Sequence, residues 1–156
     1  MTHTHTRIWI HIIWGTKNHR KCLFKETGKK LYRHLMNLGN EIGVPLERLN
    51  IQPEHVHGLI NLPSRLTAAV GQADKFLADV LQEFKGESSH WINDSHLMNG
   101  KFSWSRLVGR YGGFSVSISQ LEKVKRYIEN QSEHHRIKTF QEEYDEWKKR
   151  YGIFDD

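Results

Sequence analysis

Stretches of two-residue and of 3.6-residue periodicity follow one another along this chain in a definite order, and that order constrains the fold more than anything else in the sequence. From Ile8 to Trp14, Ile8, Ile10 and Ile12 share one face while Trp9, His11 and Ile13 share the other, which is the alternation of a strand. Leu31, Leu35, Leu38 and Ile42 then recur at helical spacing until Gly43 and Pro45 stop the helix. Residues 46–52 and 55–62 read as two strands joined around Pro53-Glu54. Residues 67–84 read as a second helix with Ala73, Leu77, Val80, Leu81 and Phe84 on its buried stripe. The run Lys85-Gly86-Glu87-Ser88-Ser89 is expected to break or bend it, with Trp91-Ile92 resuming a short helix. Residues 102–117 carry the last strand region, interrupted by Gly109 and Gly112-Gly113. Ser119 and Glu122 have capping-box spacing and open a third helix through about His134. A final helix aligns Phe140, Tyr144, Trp147 and Tyr151 in one stripe. The order β-α-β-β-α-β followed by helices is the ferredoxin-like split βαβ pattern. It predicts an α+β fold: one antiparallel sheet, helices on one face, and added C-terminal helices, all in a single domain over residues 1–156.

Composition narrows the function classes. With 37% hydrophobic and 26% charged residues in 156, the chain is long enough to bury a core and is not a disordered segment. No apolar run approaches the ~18 to 20 residues of a transmembrane helix. The first residues lack the apolar stretch of a secretory signal. A lone cysteine, Cys22, excludes an internal disulfide and a cysteine-built zinc site, and suits a reducing cytoplasm. A net charge of +5 leans toward a polyanionic partner.

Two local patterns point to chemistry. In His55-Val56-His57, residues i and i+2 of a strand project to the same side, so both imidazoles can share one metal while Val56 faces the core. Without a further signal, two histidines on a half-exposed strand need hold nothing. Tyr127 and Gln131, spaced i, i+4, lie on one helix face at the edge of the stripe formed by Leu121, Val124 and Ile128. Taken alone, Tyr127 reads as a packed amphipathic residue and Gln131 as a solvated one.

Together these patterns belong to a longer series. Residues 6–20, Pro53-Glu54-His55-Val56-His57-Gly58-Leu59-Ile60, Lys85-Gly86-Glu87-Ser88-Ser89, Phe114-Ser115-Val116-Ser117 and Tyr127-Ile128-Glu129-Asn130-Gln131 look like successive blocks of one family. So do Glu133-His134-His135 and Phe140-Gln141-Glu142-Glu143-Tyr144. The series resembles the single-tyrosine HUH transposases, which comprise the transposases of small insertion sequences that move as single-stranded DNA and the REP-associated tyrosine transposases. The resemblance implies that His55 and His57 are metal ligands, that Tyr127 is the nucleophile, and that Gln131 is a further ligand. It also implies Mg²⁺ or Mn²⁺ as cofactor, hairpin-forming single-stranded DNA as partner, and a homodimer in which the tyrosine helix of one subunit commonly completes the site of the other. Two stretches, residues 63–85 and 102–111, are longer than the family pattern, which bears on DNA specificity rather than on the four site residues.

The residue types suit that chemistry. Neutral imidazole and amide ligands leave a divalent cation its full charge to face a phosphodiester. A tyrosine hydroxyl has a reference pKa of ~10 and must lose its proton during attack. The expected product is a 5′-phosphotyrosine and a 3′-hydroxyl, and rejoining needs no ATP; the sequence has no P-loop pattern. Candidate phosphate contacts are Lys17, Arg20, Lys21, Lys29, Lys30, Arg33, Lys85, Arg106 and Arg110, with Ser88, Ser89 and the Gly86 backbone as a possible strand-binding loop. Trp91 and Trp104 read equally as base-stacking platforms and as core. The competing readings are a domesticated tyrosine endonuclease acting on palindromic repeats, a catalytically silent single-strand-binding module, and a metal-dependent hydrolase that activates water.

Overall fold

Alternation along the first strand sorts the molecule into a layer on each side of one sheet. The computed structural model describes residues 7–62, 73–106, 111–134 and 138–150. Strands β1 (Ile8–Gly15), β2 (Leu46–Ile51), β3 (His55–Leu62) and β4 (Tyr111–Val116) form an antiparallel sheet in the order β2-β3-β1-β4. This is the ferredoxin-like arrangement expected from the sequence. The helices are α1 (Lys25–Glu41), α2 (Ala73–Asp94), α3 (Leu121–Glu129), α4 (Gln131–His134) and α5 (Phe140–Arg150).

The even residues of β1, Ile10, Ile12 and Trp14, pack with Leu31, Leu35 and Leu38 of α1 and Val80, Leu81 and Phe84 of α2. The odd residues face the opposite way. Trp9 joins Leu59, Val116, Val124 and Ile128, and Ile13 joins Phe114, Phe140 and Tyr144. The added C-terminal helices therefore cover the sheet face that α1 and α2 leave open. Each large apolar side chain buried in this way contributes roughly 1.5–3 kcal/mol relative to exposure.

Three local expectations change. Helix α2 runs unbroken from Ala73 to Asp94, straight through the glycine–serine run; residues 67–72 lie outside the described part. Phe84, Ser88 and Ile92 are all buried at four-residue spacing, so the stripe facing the core never lapses. The Ser88 and Ser89 hydroxyls donate back to the carbonyls of Phe84 and Gly86, which turns serine from a breaker into part of the helix. Gly112 and Gly113 lie inside β4 and do not interrupt it, whereas Gly109 falls outside the described residues. A Cβ on Gly113 would come within 2.6 Å of Leu77, so the missing side chain lets α2 approach the sheet.

The third change concerns the tyrosine helix. A 3₁₀ turn at Ile118–Gln120 precedes α3, the helix breaks at Asn130 (φ −98°, ψ 24°), and α4 starts at Gln131. No capping box forms, because Ser119 meets the Ser117 hydroxyl instead of capping the helix at Gln120. In the last helix Phe140 and Tyr144 are buried, while the Trp147 side chain and Tyr151 lie outside the described residues. Among the described residues no helix is long and apolar enough to cross a membrane.

Candidate active site

Strand register puts the two histidines under the C-terminal helices. His55 and His57 pair across the sheet with Gly15 and Ile13, on the face that carries Trp9, His11 and Ile13, while Val56 pairs with Trp14 on the other. Both imidazoles are fully buried. His55 Nδ1 lies 2.8 Å from Glu54 Oε1, and its ring stacks on Phe140 at 4.1 Å between centroids. His57 Nε2 lies 2.9 Å from Glu143 Oε1, and its Nδ1 lies 2.9 Å from His11 Nε2. His55, His57 and Glu143 each offer a ligand atom, and these atoms all lie within 4.8 Å of one another. Two imidazoles and a carboxylate at that spacing fit a divalent cation.

Tyr127 enters the same site from α3. Val124 and Ile128 are buried against the sheet, which holds the helix so that the half-buried Tyr127 ring meets His57 and His11 edge-on, at 5.9 and 6.0 Å between centroids. Gln131 is buried one turn on, where its side-chain nitrogen donates to the Tyr127 carbonyl oxygen at 3.0 Å. That bond occupies a carbonyl that the break at Asn130 would otherwise expose. The atom of Gln131 that a cation would use is its amide oxygen.

Sequence reasoning missed two residues of this cluster, Glu143 and His11. His11 was legible as a neighbour of Trp9 and Ile13 on one strand face, but nothing local said that this face would hold the histidine pair. Glu143 follows Phe140 by three residues and so shares its side of α5; which face of the sheet α5 meets is a tertiary fact. Burial, and secondarily His57, hold the His11 pKa well below its ordinary value, with Glu143 opposing, so the ring is neutral at neutral pH.

The candidate DNA contacts divide into three surfaces. Lys17, Arg20 and Lys21 are exposed on the loop after β1. That loop is tied to the β2–β3 turn by Thr16 N–H to the Glu54 carbonyl and by Cys22 and Leu23 N–H to the Pro53 carbonyl. Its His19 ring packs on Phe140, which brings the loop beside the His55 end of the cluster. Asn18 and His19 both hold positive φ there, at 57° and 53°, a conformation uncommon outside glycine. Arg33 is exposed on α1 and lines a groove of about 540 Å³ with Lys25, Lys29, Tyr32, Asn50 and Gln52. Lys85, Ser89, Trp104 and Arg106 line a cleft of about 440 Å³ beside α2.

Several of those side chains have structural duties. Lys85 donates to the Ser105 carbonyl at 2.8 Å, and burial, with Arg106 nearby, lowers its pKa. Ser88 is buried and accepts from the Trp104 indole N–H at 2.9 Å, which makes both residues core. Trp91 stacks on His34 at 3.9 Å between centroids. Lys30 is exposed on α1, and Arg110 lies outside the described residues.

The family model described as "Transposase IS200 like" matches residues 4–131. No curated protein matches the chain. Among solved structures, a candidate transposase from Deinococcus radiodurans R1 superposes with a TM-score of 0.61 at 24% identity, covering 84% of this chain and 95% of that one. A REP-associated tyrosine transposase bound to a REP hairpin superposes with a TM-score of 0.53 at 14% identity, covering 86% of this chain and 74% of that one. At these identities the two structures support the fold.

Proposed function

The chain belongs to the IS200-like transposase family, and from that premise we propose that it cleaves and rejoins single-stranded DNA through Tyr127. The observation that carries the proposal is the Tyr127 ring set edge-on against His57, at the side of the His55–His57–Glu143 cluster. The Tyr127 oxygen attacks the scissile phosphorus, the bond from phosphorus to the 3′-oxygen breaks, and the phenolic proton ends on that oxygen. The products are a 5′-phosphotyrosine and a 3′-hydroxyl; attack by another 3′-hydroxyl reverses the step. His55, His57 and Glu143 would hold Mg²⁺ or Mn²⁺, with Gln131 as a further ligand. A bound cation supplies charge to polarise a phosphoryl oxygen and orient the bond. Glu54 keeps the His55 proton on Nδ1, so that Nε2 faces the cluster. Lys17, Arg20 and Lys21, on the loop beside His55, are the phosphate contacts nearest the chemistry. The hairpin held by the REP-associated neighbour supports hairpin-forming DNA as substrate, and the resemblance supports a homodimer.

Covalent capture tests this. The protein is incubated with a 3′-labelled hairpin library and Mn²⁺ and run on a denaturing gel beside Tyr127→Phe, His57→Ala and a chelator. A labelled adduct lost in all three controls is expected. Cleavage without an adduct that persists in Tyr127→Phe would overturn the tyrosine mechanism in favour of hydrolysis by water.

A further inference from the structure

Cations and an aromatic ring line the sheet edge beside the cluster, and the chemistry at Tyr127 uses none of them. β2 is an edge strand, and its Asn50 pairs with His57 of β3, which puts the Asn50 side chain on the face that holds the cluster. The Gln52 backbone N–H donates to the His55 carbonyl, and the Gln52 amide donates to Asn50 Oδ1 at 2.7 Å. These two residues belong to one wall of the groove of about 540 Å³, and α1 forms the other. Ser132, the residue after Gln131, lines it as well. The groove therefore reaches from α1 round the sheet edge to the immediate neighbours of His57 and Gln131.

Along the α1 wall stand Lys25, Lys29 and Arg33, all exposed and about one helical turn apart, which spaces them by about 6 Å. No carboxylate is among the described residues that line the groove. Lys29 does meet Glu26 at 3.4 Å, but an exposed pair of that kind is weak and gives way to a phosphate at little cost. Tyr32 lines the same wall with 41% of its surface exposed. Leu23 lines the groove too, so its cations continue the basic series Lys17, Arg20 and Lys21 of the loop beside His55. A file of cations holds any nucleic-acid backbone, whereas an accessible ring selects: unpaired bases offer it their faces, and a duplex keeps those faces stacked. We propose that this groove is a single-strand-binding subsite for the DNA that flanks the scissile bond, with phosphates on Lys25, Lys29 and Arg33 and a base stacked on Tyr32. Gly28 lies between the first two cations and keeps the groove open, since a side chain there would project among its lining residues Leu23 and Ile51. The proposal rests on single-stranded DNA as substrate and adds where the flanking strand lies.

The test reads binding on the full chain with chelator present, so that cleavage cannot contribute. Fluorescence anisotropy is followed with a labelled mixed-sequence single strand and with the same strand annealed to its complement. Tyr32→Ala should bind the single strand at least about 5-fold more weakly, Tyr32→Phe should restore it, and the duplex should respond to neither. Replacing Lys29 and Arg33 together by Gln should reduce the slope of log affinity against log salt by about 1.4 for two lost single-strand contacts. Gly28→Leu should also weaken single-strand binding, because it narrows the groove with no change of charge; a Cβ there meets nothing closer than 3.4 Å, so the fold tolerates it. Wild-type affinity in folded Tyr32→Ala and Gly28→Leu overturns the proposal. Duplex binding that falls as far as single-strand binding in Tyr32→Ala also overturns it, leaving a surface that holds phosphates without selecting unpaired bases. Adduct formation separates the two readings. Groove-dependent binding by a wild type that forms no adduct removes the tyrosine mechanism and keeps the groove, whereas adduct formation with binding unchanged in the groove variants removes the groove alone.

Discussion

A histidine kept neutral inside a sheet makes stability depend on pH in a definite direction. The folded chain holds the His11 pKa below 6.5, so at lower pH the unfolded chain binds a proton that the folded chain refuses. This contribution to stability is complete above about pH 6.5 and declines as pH falls toward the folded-state pKa, by up to ~1.4 kcal/mol per pH unit. The groups facing the ring are His57 from β3, which lowers its pKa, and Glu143 from α5, which raises it. Urea midpoints measured at about pH 7.5 and 5.5 should fall for the wild type and fall less for His11→Gln. Equal slopes would mean that another group carries the linkage.

At the scale of elements, glycines report how closely helices are seated. A Cβ on Gly39 of α1 would come 2.9 Å from the Val44 carbonyl oxygen, which is backbone and cannot step aside. Gly39→Ala should therefore destabilise by about 1–3 kcal/mol through overpacking of α1 on β2. Gly86 has open space around it in the middle of α2, so Gly86→Ala should stabilise by about 0.5–1 kcal/mol. Urea denaturation of the two variants checks both signs, and an unchanged midpoint for Gly86→Ala would argue against an unbroken α2. The same elements show what local sequence can express. The order of strands and helices and the shared face of His55 and His57 were legible because periodicity is a local property. The continuity of α2 was not, since Gly86, Ser88 and Ser89 have the composition of a loop and are held in the helix by core contacts of Phe84, Ser88 and Ile92. Glu143 was hidden for a related reason: its role depends on where α5 lands, which the spacing within α5 does not encode.

Taken as a whole, the molecule assembles its candidate site from β1, β3, α3 and α5 of one chain. Tyr127 reaches its own His57, so catalysis within a single subunit is expected even if two copies associate. Mixing Tyr127→Phe with His57→Ala tests this: two defective chains should fail to restore adduct formation, whereas recovery toward about a quarter to half of wild-type yield would show exchange between subunits, as half-site arithmetic for a symmetric dimer requires. The central strand also limits how such a chain can change over generations. Because β1 gives its even residues to one core and its odd residues to the face that carries the candidate site, inserting or deleting a single residue within it would swap the two sets and spoil both at once. Descendants of this sequence are free to rewrite their exposed edges one residue at a time, but β1 can lengthen or shorten only in steps of two.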